Sequence, residues 1–215
     1  MAFTNRKQAG QLLAKALEKA CVGESVVVYA LPRGGVILAS EVATKLQAPL
    51  ELAIARKISP PTDPEYAVAA VTEQGKPVIN PTETACVHAP WFQTALQMAR
   101  AEAQRRREVY LGTHQPPASL TGKTAIVVDD GMATGLTMMA VLAELRHLHP
   151  KRIVVAVPVA APSAAHRLRR LADEVLILDT PAIFRGGIGA YYEDFPQVSD
   201  PEVIAALSSF HSPSH

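Results

Sequence analysis

Apolar residues recur at intervals of three and four near the start of the chain, at Ala9, Leu12, Leu13, Ala16, Leu17 and Ala20, with Thr4 and Asn5 ahead of them as caps. That spacing predicts an amphipathic opening helix. A β-branched run over 26–31 follows, is interrupted by Pro32, Arg33, Gly34 and Gly35, and gives way to helical spacing over 36–46. Strand, tight loop and helix are expected in that order. Residues 50–58 read as a second strand, ended by Ser59, Pro60, Pro61, Thr62, Asp63 and Pro64, because proline fixes φ and offers no N–H to a ladder. A mobile loop is expected there, with short strands at 67–72 and 77–79 around a turn at Gln74, Gly75 and Lys76. Over 90–111, Phe92, Ala95, Leu96, Ala99 and Ala103 keep helical spacing, and Arg100, Arg105, Arg106 and Arg107 gather toward the carboxyl end, where cations suit the helix dipole. Residues 112–122 form a proline-bearing connection. Strands at 124–128, 153–159 and 175–178 then alternate with helices at 141–148 and 164–172, and a last helix is read at 201–210. Such alternation predicts an α/β protein with a central, mostly parallel sheet flanked by helices.

Composition narrows the classes. The 215 residues suit one globular domain, and a formal charge of +1 supplies no global basic field, so nucleic acid is not an expected partner. Arg6, Lys7, Lys15, Glu18 and Lys19 interrupt the first 21 residues, which therefore lack a signal-peptide core, and no apolar run approaches the ~20 residues of a spanning helix. Cys21 and Cys86 form neither a disulfide framework nor a zinc spacing, which fits a cytoplasmic protein. The histidines, among them His88, His114, His147, His149 and His166, show no metal-ligand spacing.

Candidate chemistry is concentrated in Ile126-Val127-Val128-Asp129-Asp130-Gly131-Met132-Ala133-Thr134-Gly135-Leu136-Thr137. An apolar strand ends in two carboxylates and opens through a glycine-containing turn into a helix, and ligands of open parallel sheets bind at such carboxyl ends. Backbone N–H groups from Met132 to Thr137, with the hydroxyls of Thr134 and Thr137, can converge on a phosphate at the helix amino terminus. Two acids beside that cradle repel a phosphate but accept hydrogen bonds from a ribose diol, so a sugar phosphate satisfies both halves. It is not a Walker loop, because Leu136 stands where that motif has lysine. A second signal is Leu31-Pro32-Arg33-Gly34-Gly35, whose glycines allow amides to approach an oxyanion while Arg33 offers a forked cation.

The 126–137 motif resembles the phosphoribosyl pyrophosphate motif of the type I phosphoribosyltransferases: four apolar residues, two acids, three variable positions, then Thr-Gly-x-Thr. The resemblance implies that Asp129 and Asp130 hold the ribose hydroxyls and that Ala133, Thr134, Gly135, Leu136 and Thr137 hold the 5-phosphate. Leu136 departs from the small residue many members carry there. Arg33-Gly34-Gly35 is similar to the pyrophosphate loop of that family, and Lys57, preferred over its neighbour Arg56, matches its basic residue on the pyrophosphate. Arg6, Ala9-Gly10, Asp63-Pro64-Glu65-Tyr66-Ala67-Val68-Ala69-Ala70-Val71 and Gly189-Ala190-Tyr191-Tyr192-Glu193-Asp194-Phe195 resemble a bacterial subgroup of predicted phosphoribosyltransferases, so the likeness spans nearly the whole chain.

It implies transfer of ribose 5-phosphate to a nitrogenous base, purine favoured, with Asp129, Asp130, Arg33 and Lys57 as the catalytic set and loop closure over 59–75 excluding water. Magnesium is expected mainly through the donor, and a homodimer is expected because dimers are common in the family. The base would lie under a small hood over about 182–200, with 76–115 as a second contributor, where Phe184, Tyr191 and Tyr192 could stack and Asp194 could accept a hydrogen bond. The same tyrosines could instead close the core or a dimer contact. The acceptor stays open, as does a noncatalytic role in binding phosphoribosyl pyrophosphate or a nucleotide. A magnesium phosphohydrolase is weaker, since neighbouring strand residues point to opposite faces. Arg105-Arg106-Arg107 reads as a solvated helix end.

Overall fold

The computed structural model describes residues 2–63, 66–112 and 119–211. Pro64 and Glu65 of the loop, and 113–118 of the connection, lie outside the described residues. Helix α1 (Arg6–Ala20) begins at Asn5, whose side chain accepts from the Gln8 N–H, so one orphan donor of the first turn is satisfied. Its buried stripe is Arg6, Ala9, Gly10, Leu13, Ala14 and Leu17, whereas Leu12 is 37% exposed.

Strand β1 (Val26–Ala30) leads through the Arg33 turn into α2 (Gly34–Leu46), then β2 (Leu50–Leu52). A hairpin of β3 (Ala55–Ile58) and β4 (Ala69–Thr72) follows, extended by the short β5 (Val78–Ile79). After the long α3 (Pro90–Leu111), β6 (Thr124–Val128), α4 (Leu136–Arg146), β7 (Arg152–Val159), α5 (Pro162–Leu168) and β8 (Glu174–Asp179) alternate before the closing α6 (Asp200–His211). The main sheet has the order β2-β1-β6-β7-β8, and every pair is parallel. The order reverses direction between β1 and β6, whose ends meet at Ala30 and Val128, and a crevice at such a switch point is where this architecture binds ligands.

The expected strand over 50–58 is two strands in two sheets. Leu52 pairs with Ala30, the last residue of β1; past it β1 has turned into its loop and offers no further ladder. The chain leaves through Ala53 and Ile54, and β3 pairs antiparallel with β4, which pairs with β5. Strand 69–72 therefore lies within the segment expected to close as a loop. The helix expected at 141–148 starts at Leu136, because Leu136, Met138, Met139 and Ala140 are all buried. The helix expected at 164–172 begins at Pro162, a residue suited to a first turn, and ends at Leu168.

Alternation in β1 and β6 supplies two cores. Val28, Ala30, Ile126 and Val128 pack under α1 and α2, while Val27, Tyr29, Ala125 and Val127 pack under α4 and α5. A third cluster joins Ile58, Ala69 and Val71 to Phe92, Leu96 and Ala99 of α3. No helix among the described residues is long and apolar enough to cross a membrane.

Helices α1 and α2 touch where Gly10 lies; a Cβ there would stand 2.8 Å from Leu38 Cα and 3.0 Å from Leu38 O. Gly10→Val therefore forces two backbones apart and is expected to cost about 2 kcal/mol, lowering Tm by about 4–8 °C in a circular dichroism melt. An unchanged Tm would show that the crossing can widen freely.

Candidate active site

Asp129 and Asp130 follow the last residue of β6, and Met132 fastens the loop beyond them to the next strand: its N–H donates to Val159 O at 2.9 Å and its carbonyl accepts from Ala161 N at 2.8 Å. Gly135, in the left-handed region at φ 73°, caps α4, a conformation that glycine adopts at no steric cost. Thr134 Oγ1 accepts from Leu136 N at 3.5 Å. Ala133 and Thr134 are exposed, so the amino end of α4 faces an open surface that can receive an anion. Arg167, which no sequence motif marks, donates from Nη2 to Thr134 O at 2.6 Å and so ties α5 to the turn before α4.

The first loop is pressed against the acids. A Cβ on Gly34 would overlap Asp130 Oδ2, and one on Gly35 would lie 2.8 Å from Val128 O and 3.0 Å from Asp129 Cα. Leu31 N donates to Val128 O at 3.0 Å, and the Pro32–Arg33 peptide is cis. The two glycines thus let the two motifs come into contact. Arg33 Nη1 lies 3.5 Å from Asp200 Oδ1, which also accepts the Tyr110 hydroxyl at 2.7 Å.

Arg6 engages the second acid. Its Nε donates to Asp130 Oδ2 at 2.9 Å, its Nη1 donates to Pro196 O at 2.6 Å, and its guanidinium carbon lies 3.6 Å from the Phe195 ring centroid. The side chains of Arg6 and Asp130 are only 10% and 15% exposed. Asp129 Oδ1 accepts the Asp130 N–H at 2.8 Å. Burial, and then the neighbouring Asp130 charge, hold the Asp129 carboxyl well above the usual aspartate range. Burial also raises Asp130, with Arg6 opposing the shift. The signal for Arg6 was in the sequence, since it occupies the i position of the stripe that continues through Ala9 and Gly10.

Beside these loops, Arg6, Arg33, Arg56 and Arg106 line a cleft of about 460 Å³ with Phe195 and Gln197. Arg56 makes no ion pair among the described residues, and burial, followed by the charge of Arg106, lowers its pKa. Lys57 is not part of the lining: it is the exposed neighbour of Arg56 on β3, and alternation points it to the other face. The arginine run on α3 is divided as well. Arg105 pairs with Glu102 at 2.7 Å, Arg106 joins the cleft while pairing with Glu102 at 2.9 Å, and Arg107 lies 3.9 Å from Glu73.

The four residues expected as base contacts differ in their surroundings. Phe184 stacks on Tyr191 with ring centroids 5.1 Å apart, and Tyr191 Oη accepts from Arg185 N at 3.0 Å. Tyr192 is 7% exposed, packs between Phe3 and Phe195, and donates its hydroxyl to Asp130 O at 2.6 Å. Asp194 is exposed, and its N–H donates to Thr4 O at 3.0 Å. Among the described residues, no group of three or more His, Cys, Asp or Glu is arranged to hold a metal ion.

The description "Phosphoribosyl transferase domain" matches residues 4–193. Two Mycobacterium tuberculosis proteins, printed as "Putative phosphoribosyl transferase Rv0571c" and "Putative phosphoribosyl transferase MT0597", are each 40% identical over 212 residues, covering 97% of this chain and 47% of the relative. The chain thus spans about half the length of the curated relatives it matches. The crystal structure of TT1426 from Thermus thermophilus is 39% identical, with TM-score 0.78, covering 99% of this chain and all of that one. AQ2163 from Aquifex aeolicus, 13% identical with TM-score 0.50 over 81% of this chain and 74% of its own, shares the fold.

The buried acids tie stability to pH. A carboxyl with a raised folded pKa binds its proton more tightly in the folded chain, so stability falls as pH rises from the ordinary aspartate range through the folded value. Asp129→Asn removes that charge and keeps an acceptor at Oδ1 for the Asp130 N–H. It is expected to melt about 2–6 °C above the parent at about pH 8, the gap closing toward about pH 4. A lower Tm at the higher pH would show that the fold needs the ionised carboxylate.

Proposed function

The chain belongs to the phosphoribosyl transferase family, and on that premise we propose that it transfers ribose 5-phosphate from phosphoribosyl pyrophosphate to a nitrogenous base, purine favoured, with release of pyrophosphate. The observation that carries the reading is the contact of Gly34 with Asp130, which unites an acid pair, a helix-end anion cradle and an arginine cleft at one switch point. The 5-phosphate fits the amides and hydroxyls from Ala133 to Thr137, the ribose diol fits Asp129 and Asp130, and the pyrophosphate fits Arg33, Gly34 and Gly35. Arg56 supports the pyrophosphate better than Lys57 does, because it shares the cleft with Arg33.

In the reaction the bond from the anomeric carbon to pyrophosphate oxygen breaks, its electron pair leaves with pyrophosphate, and the acceptor nitrogen bonds to that carbon and then sheds its proton. The chain contributes position and charge: the cradle fixes one end of the donor, and the guanidiniums neutralise the other as it departs. Magnesium, expected mainly through the phosphate oxygens of the donor, would add to that neutralisation when bound. Segment 182–200, with 76–115, is the proposed hood, with Phe184, Tyr191 and Asp194 nearest the acceptor and Tyr192 supporting Asp130 from behind. A homodimer and a cytoplasmic setting belong to the same proposal, and light scattering reads the first.

Titration calorimetry of phosphoribosyl pyrophosphate with magnesium, followed by pyrophosphate release against a panel of purine and pyrimidine bases, tests the reading. Binding with release for one base supports it and names the acceptor; binding without release for every base favours a regulatory donor-binding role; no binding overturns the site. Asp129→Asn, which leaves the Arg6–Asp130 pair in place, is expected to cut turnover by about 100-fold or more. A substitution at Asp130 would also strip Arg6 of its partner. Arg56→Gln is expected to weaken donor binding by about tenfold or more and Lys57→Gln by less. The reverse order would place Lys57 on the pyrophosphate.

A further inference from the structure

A second cavity, of about 330 Å³, opens at the β2 edge of the main sheet, between α4 and the turn that follows β4. It shares no lining residue with the acid loop, the cradle or the arginine cleft. Its size lies at the lower end of the range for small-molecule sites, about 300–1,000 Å³. Leu52, Val141 and Leu145 give it an apolar wall.

Tyr29 is the feature that points to a ligand. The residue is 3% exposed, and its hydroxyl has no hydrogen-bond partner among the described residues. Its position in β1 turns the ring toward α4, and the charges that act on the phenol, those of Glu51, Arg107 and Glu144, all belong to the cavity wall. Burial raises its pKa first of all, so the hydroxyl keeps its proton and can donate. A buried hydroxyl that has given up water without a protein partner is accounted for when a bound molecule brings one.

The charges around it select the molecule. Glu73 and Arg107 lie 3.9 Å apart and offset each other. Glu144 is half-buried and forms no ion pair among the described residues. The field at the mouth is therefore negative. No group of three or more ligating side chains is arranged for a metal among the described residues, so the matching partner is organic.

We propose that this cavity binds a small organic cation, an amine or guanidinium on an apolar frame, with its charged head at Glu144, its body on Leu52, Val141 and Leu145, and its polar tail at the Tyr29 hydroxyl. The walls are elements of the other site: α4 begins at the phosphate cradle, and the β3–β4 hairpin carries Arg56. A ligand wedged between them sets the hairpin against the helix.

Titration calorimetry of the full chain with tyramine, with agmatine, and with 4-ethylphenol as tyramine's uncharged counterpart tests this. Binding of either amine, no binding of 4-ethylphenol, and a loss of at least about tenfold in Glu144→Gln are expected. Tyr29→Phe should weaken tyramine severalfold while melting no lower than the parent, since its hydroxyl makes no hydrogen bond among the described residues. Equal binding of tyramine and 4-ethylphenol, an affinity indifferent to Glu144→Gln, or no binding of either amine up to about 10 mM would overturn the proposal. Competition between the amine and phosphoribosyl pyrophosphate would overturn the claim of a separate site. A circular dichroism melt of Glu144→Gln matching that of the parent would show that the variant is folded, so a failure of the donor-binding reading would leave this test intact.

Discussion

The ion pair between Arg6 and Asp130 is the contact on which the site and both ends of the chain depend. Two adjacent carboxylates at the end of a wholly buried strand carry a desolvation cost that neither offsets for the other, and removing one partner of a buried pair leaves a charge that water cannot reach. Arg6 supplies the opposite charge from the first turn of the first helix, and Pro196 O and the Phe195 ring hold it there. Tyr192 completes the arrangement by donating to the Asp130 carbonyl, while Phe3 pairs with Tyr192 and the carbonyls of Phe3 and Thr4 accept from Glu193 and Asp194. The first and last parts of the sequence therefore converge behind the acid motif, so the tail whose composition suggests a base-binding surface also serves as its foundation.

The glycines impose a second constraint. A site that opposes an acid pair to a cationic loop needs the two backbones closer than side chains permit, and Gly34 and Gly35 meet that need at the one place where the sheet order reverses. The closeness has an electrostatic consequence. Asp129 sits beside Asp130 in a poorly hydrated place, and its carboxyl is held well above its ordinary range. Carboxyls whose ionisation burial disfavours are common among the acids of functional clefts.

The cation side of the site was less legible. Alternation along β3 sends Arg56 and Lys57 to opposite faces, but the sequence does not state which face meets the Arg33 loop; that depends on how a separate three-stranded sheet is docked. The same docking brings Arg106 of α3 into the cleft, although the run Arg105-Arg106-Arg107 has the composition of a solvated helix end. The break within 50–58 was hidden for a related reason, since nothing in its composition marks Ala53 and Ile54 as a joint. The joint is set by where β1 ends and its ladder stops.

By itself the sequence determined the α/β alternation, the acid-and-cradle motif, and the glycine loop, because each rests on short-range physics: hydrophobic period, turn stereochemistry and the amides of a helix end. It also held Arg6 in phase with the buried stripe of α1. Tertiary structure alone decided which acid that arginine would neutralise, which of two neighbouring cations would line the arginine cleft, and that Tyr29 would be buried with no hydrogen-bond partner among the described residues, beside carboxylates from two different elements. These are pairings between residues far apart in the chain, and burial, which makes each pairing matter energetically, exists only after the sheets and helices have packed.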